Sequence, residues 1–108
     1  MTQFDNREKA FESKYAHDQE LAFKVMARRN KLLGLWAAGE MGLSGDAAAE
    51  YAKDVVKSDF QEAGDDDVFR KVKADLDGKQ LGITDHRLRK QMDDLLVEAK
   101  RQVMEELQ

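Results

Sequence analysis

Chemistry in this chain would have to start from two histidines, a run of glycines, a cluster of cations and its many carboxylates. His17 and His86 are the only histidines. Their sequence neighbours form no metal-ligand spacing, so each reads as a solvated helix residue. Gly34 and Gly39 match the first half of a phosphate loop, but Glu40 and Met41 stand where Lys and Ser or Thr are required. Without that Lys no cation meets the phosphates, and no strand precedes the loop. Gly34, Gly39, Gly42 and Gly45 therefore read as close packing and a tight inter-helix turn. Asp65, Asp66 and Asp67 form an acidic triplet that suits a helix N-terminus. They lack the glycine-punctuated pattern of a calcium loop. The other carboxylates are scattered over charged faces, with nothing to set one pKa apart from another. With no Cys in the chain there is no thiol nucleophile, thiolate site or disulfide. No enzyme activity, metal or cofactor is expected.

One basic cluster remains: Arg28, Arg29 and Lys31 around Asn30. It reads first as a solvated helix face. Arg28 and Lys31 lie one turn apart, so they also form a candidate contact for a phosphate or an acidic partner patch. Trp36, inside the apolar run Leu32–Ala38, reads as core.

These residues must be positioned by helices. Val, Ile and Thr supply seven, one and two residues, against eleven Leu and thirteen Ala, which disfavours a sheet. Pro is absent, so no kink or helix stop is encoded by it. With 108 residues the chain is expected to hold one small core. A formal net charge of -4 argues against a nucleic-acid partner. No apolar run approaches the roughly eighteen residues of a membrane span, and the charged N-terminus offers no secretory segment. A soluble, cytoplasmic protein is expected.

The last helix is the clearest. Leu88, Met92, Leu95, Leu96, Ala99, Val103 and Leu107 recur at three- and four-residue steps, with Thr84 as N-cap and Ile83 as a staple onto Leu88. A second helix follows Gly45, capped by Ser44, with Ala48, Tyr51, Ala52, Val55, Val56, Phe60 and Ala63 as its stripe and Gly64 at its end. A short helix from the acidic triplet buries Val68, Phe69, Val72 and Leu76.

Helical periodicity also runs from Phe4 to Ala38, beyond the roughly 25 residues usual for a small domain. It is rich in apolar residues only from Leu21 on. Before that, Phe4, Phe11 and Tyr15, spaced seven then four apart, form one narrow stripe among charges. Such a stripe cannot offset the entropy of ordering its segment unless it docks on something. Asp18 is a candidate cap for a helix starting at Gln19. The expected architecture is all-α: a four-helix bundle over residues 20–108, with a flexible or extended helical arm over residues 1–19.

The stretches FDNREKAFESKYAHDQEL, ARRNKLLGLWAAGEMGLSG, EYAKDVVKSDFQEAG and DVFRKV resemble the zeta subunit of alphaproteobacterial F-type ATP synthases. The block from Arg28 to Gly39 is the most distinctive piece, whereas Asp77–Arg89 and the last helix agree only in helical character. The resemblance implies a small four-helix protein, peripheral to the inner membrane, that inhibits ATP hydrolysis by the catalytic headpiece. It implies that the N-terminal segment enters the interface between catalytic and noncatalytic subunits, folds there as a helix, and stops the central shaft. Phe4, Phe11 and Tyr15 would then be anchors. Asp5, Arg7, Glu8, Lys9, Glu12 and Lys14 would accompany them as charged partner contacts, mostly at the rim. Two alternatives stand beside this: a helical adaptor for another protein, and a weak nucleotide-sensing module using Arg28, Arg29 and Lys31.

Overall fold

The computed structural model describes residues 3–59 and 65–107. They form five helices: α1 (Gln3–His17), α2 (Gln19–Glu40), α3 (Gly45–Ser58), α4 (Asp66–Gly78) and α5 (Asp85–Glu106). The all-helical expectation holds. Phe60, Ala63 and Gly64, expected to complete and end the third of these, lie outside the described residues.

The long periodic N-terminal stretch is two helices, and Asp18 divides them. Its backbone is extended (φ −105°, ψ 108°), and its carboxylate accepts the Leu21 N–H at 3.1 Å. That cap satisfies a donor the new helix would otherwise leave open, so α2 starts at Gln19 with no Pro or Gly to force a break. The far end of α2 stops by a different device. Gly42 takes a positive φ of 81°, Leu43 N–H bonds Ala38 C=O at 2.8 Å, and Gly42 N–H bonds Gly39 C=O at 3.1 Å. This is a Schellman closure, and it turns the chain within Met41–Ser44 into α3. Ser44 occupies the N-cap position of α3, but its side chain makes no cap hydrogen bond.

Close approach follows the turn. A Cβ on Gly34 would lie 2.6 Å from the Cα of Ala52, so α2 and α3 meet there almost backbone to backbone. The packing role expected of Gly34 is real. At Gly39 a Cβ would meet nothing within 4 Å, so that glycine plays no such role. Around the contact, Leu33, Ala37, Val55, Val68, Val72, Leu76, Ile83, Leu88 and Met92 form one buried cluster drawn from α2 to α5, with Trp36, Phe69 and Leu95 packed against it. The Thr84 hydroxyl accepts the Arg87 N–H at 3.1 Å, and Ile83 and Leu88 are buried together, as the cap and staple require. Tyr51 donates to Asp75 at 2.8 Å, and Lys71 sits 5.3 Å from its ring. Burial and then this carboxylate hold the Tyr51 phenol well above its ordinary pKa.

A second cluster joins α1 to α2 and α5: Phe11, Leu21, Val25, Ala99, Val103 and Met104. Periodicity alone leaves the α1 stripe without a partner inside the chain; the structure supplies one on α5. Along α5 the buried side settles on Met104 at the C-terminal end, while Leu107, expected in the stripe, is half exposed.

Gly34→Ala tests the close contact. Alanine would gain up to about 1 kcal/mol of helix propensity, but its methyl meets backbone that cannot yield locally. The expected net effect is a loss of about 1–3 kcal/mol in chemical denaturation. An unchanged or higher midpoint would show that the two helices part freely.

Candidate functional site

Two surfaces and one interior network collect the residues singled out by sequence. The first surface is the meeting of α1 with α5. Phe11 is 7% exposed and Tyr15 is half-buried, their ring centroids 6.4 Å apart with planes 16° from parallel. Four-residue spacing puts both on one helical face. Across from them, Lys100 holds its Nζ 4.5 Å from the Tyr15 ring and 3.5 Å from the Glu12 carboxylate. Glu8, Phe11, Val97 and Met104 help to line a cleft of about 370 Å³ at this seam. Arg7, Glu8, Lys9, Glu12 and Lys14 are exposed, as a charged rim requires. The side chains of Phe4 and Asp5 lie outside the described residues.

The cations of α2 do not share one face. Arg28 donates to Gln102 at 2.8 Å and pairs with Glu106 at 2.5 Å, which ties α2 to α5. Arg29 points inward. It is 1% exposed, donating through Nε to Asn30 Oδ1 and through an NH2 group to Asp65 Oδ1, each at 2.8 Å. Lys31 alone of the three is exposed. The solvated cationic face expected here therefore reduces to Lys31, because Arg28 and Arg29 are taken up by partners within the fold.

The acidic triplet is more than a favourable charge at a helix start. Asp65 meets Arg29, Asp66 meets Arg89 at 3.2 Å, and Asp67 meets Arg70 at 2.5 Å. Arg89 in turn lies 3.9 Å over the Phe69 ring. Asp65 occupies the N-cap position of α4 but makes no side-chain cap bond, its carboxylate being committed to Arg29. Asp59 lies beside this network. Burial pushes its carboxyl up from the ordinary value, opposed by the Asn30 side chain and the Arg29 guanidinium. Asn30, Asp59 and Asp65 were not singled out by sequence as one site. Their only advance signal is the neighbouring placement of Arg29 and Asn30 in α2.

Among the described residues no group of three or more His, Cys, Asp or Glu side chains could hold a metal ion. His17 and His86 are both exposed. What the geometry offers is recognition: an aromatic helical stripe with a charged rim, held by a small number of contacts.

A protein-family model described as ATPase inhibitor subunit zeta matches residues 1–102. One solved chain, described as a solution NMR structure, is 52% identical, covering 78% of this chain and 95% of its own, with a TM-score of 0.70. No curated protein sequence matches.

The inward and outward cations should separate cleanly on mutation. Arg29→Ala strips Asp65 and Asn30 of a charged donor and empties its buried volume, with an expected cost of about 2–3 kcal/mol. Lys31→Ala should stay within about 0.5 kcal/mol of the parent. Equal effects in chemical denaturation would mean that the Arg29 network contributes nothing specific.

Proposed function

Since the chain belongs to the ATPase inhibitor subunit zeta family, we propose that it is a regulatory, non-enzymatic subunit that inhibits ATP hydrolysis by the catalytic headpiece of an F-type ATP synthase, with α1 as the inhibitory element. The arm covers residues 1–19, and residues 20–108 form the domain that carries it. In this reading α1 enters the interface between catalytic and noncatalytic subunits as a helix and obstructs rotation of the central shaft. Phe4, Phe11 and Tyr15 act as anchors, and Asp5, Arg7, Glu8, Lys9, Glu12 and Lys14 set association rate and specificity around them. The protein sits on the cytoplasmic side of the inner membrane through the enzyme. None of the described helices is long and apolar enough to cross a membrane.

The observation that carries the reading is the Phe11–Tyr15 stripe on a helix otherwise covered in charge, joined to the rest through the capped junction at Asp18. A short amphipathic helix of this kind is the usual ligand of an apolar groove. In the free protein that stripe rests on α5, so binding requires its release. Burying one Phe contributes roughly 1.5–3 kcal/mol. Release at about 2 kcal/mol would lower the apparent affinity roughly thirtyfold relative to a free arm.

Two variants should therefore move inhibition in opposite directions. Phe11→Ala with Tyr15→Ala removes the anchors and should raise the half-inhibitory concentration at least tenfold in a headpiece ATPase assay. Lys100→Ala leaves α1 intact but removes the Glu12 pair and the cation over Tyr15, and should lower that concentration about three- to tenfold. Full inhibition by protein lacking residues 1–18 would contradict the assignment of α1.

A further inference from the structure

The surface along the seam of α2 and α3 carries a feature that α1 does not use. Their close approach at Gly34 leaves a shallow cleft of about 390 Å³ on this side, with Leu35, Ala49 and Val56 in its wall. It continues past Lys31 and Val56 into a second hollow walled by Phe23 and Ala27. On α2, residues 23, 27, 31 and 35 recur at four-residue steps, so one row of side chains follows the cleft for roughly 18 Å, about three turns of helix. Phe23 is 57% exposed and Leu35 38%. These are large apolar side chains at the surface of a small domain.

The charge around the cleft is the reverse of the molecule's. The chain carries a formal net charge of -4, yet Lys24, Arg28, Lys31, Lys53 and Lys57 border this one feature. Arg28 is held by Glu106, and Lys53 lies 3.4 Å from Glu50. Lys24, Lys31 and Lys57 are exposed and form no ion pair among the described residues. Glu20 is the acid in its lining. A concave apolar track bordered by exposed lysines fits a narrow, negatively charged ligand with an apolar face.

We propose that this cleft docks an acidic amphipathic helix of the partner enzyme, as a second contact besides α1. The proposal rests on the inhibitory reading above. The apolar face of that helix covers Leu35 and Val56, and its carboxylates meet Lys24, Lys31 and Lys57. Two linked contacts bind more tightly than either alone, because the first raises the local concentration of the second. Docking here would hold the domain at the enzyme while α1 leaves α5 and finds its groove.

The test uses the full chain and the isolated headpiece. A photo-reactive residue is introduced as Leu35→p-benzoylphenylalanine and, in a separate protein, as Tyr15→p-benzoylphenylalanine. The expected result is a cross-link from position 35 to a headpiece helix rich in Asp and Glu, lost in the Lys31→Glu, Lys57→Glu double variant. The same double variant should bind the headpiece at least tenfold more weakly at low salt, with the difference shrinking as salt is added. Both lysines are exposed, so the helical content of the variant should equal the parent's. A cross-link from position 15 with none from position 35, or a change in affinity below twofold, overturns the cleft assignment and leaves the role of α1 intact. Cross-links from neither position overturn both. Reaction of position 35 with a basic segment or a second copy of this chain, or lysine-dependent sedimentation with anionic phospholipid vesicles in its place, also overturns it.

Discussion

Van der Waals contact between the backbones of α2 at Gly34 and α3 at Ala52 sets the spacing from which the other packing follows. Held that close, the two helices seat Leu33, Ala37 and Val55 together and offer α4 and α5 a common apolar surface. A side chain at position 34 would push the pair apart and loosen every layer beneath it. The same seam also borders the outside: Ala52, which meets Gly34, helps to line the lysine-bordered cleft. One missing side chain thus shapes both the interior and a surface. α2 bears the consequence, because it packs against all four other helices. Its buried residues are spread around its circumference, including one Arg and one Asn.

Arg29 is tolerated because Asp65, at the start of α4, reaches it, and the Asn30 Oδ1 accepts in turn from Arg29. A buried guanidinium is costly unless its donors are satisfied, and Arg29 has Asn30 on one side and Asp65 on the other. The triplet Asp65–Asp67 sends its carboxylates to three different arginines from α2, α5 and α4 itself. Charge that stabilises a helix N-terminus here also fastens it to its neighbours. Among the described residues, Asn30 Nδ2 and Asp67 Oδ2 are buried without a hydrogen-bond partner.

Much of this was legible in the residues because local chemistry carried it. Thr84 with Ile83, Asp18 as a cap, and Gly42 in a tight turn act within a few residues of themselves, and each does in the structure what its type suggests. Arg29 was not legible. Consecutive helical residues turn by about 100°, so Arg28, Arg29 and Lys31 cannot share a face. Which one turns inward depends on Asp65, distant in sequence. The seat of Phe11 was hidden for the same reason: its stripe is evident, but Ala99, Val103 and Met104 must be brought to it by the tertiary fold. Along α5, Met104 is buried because it packs in the cluster that holds Phe11 of α1, a neighbour that the periodicity of α5 does not announce. The candidate site was thus visible as a stripe, while the surface that covers it was not.

α1 is where these parts meet a partner in the proposed mechanism. Its aromatic face is satisfied within the chain by an arrangement of modest strength: one buried Phe, one half-buried Tyr, and Lys100 bridging to Glu12. Such a contact packs α1 on α5, and in the proposed mechanism it would yield to a groove of the partner enzyme. The most direct measurement is the distance between spin labels on α1 and α5, with and without the headpiece. The chain has no Cys of its own, so Ser13→Cys and Asp93→Cys label only the chosen exposed positions. The account predicts one short distance in the free protein and a clearly longer one in the inhibited complex. An unchanged distance in a fully inhibited complex would contradict it, because α1 would then inhibit without ever leaving α5.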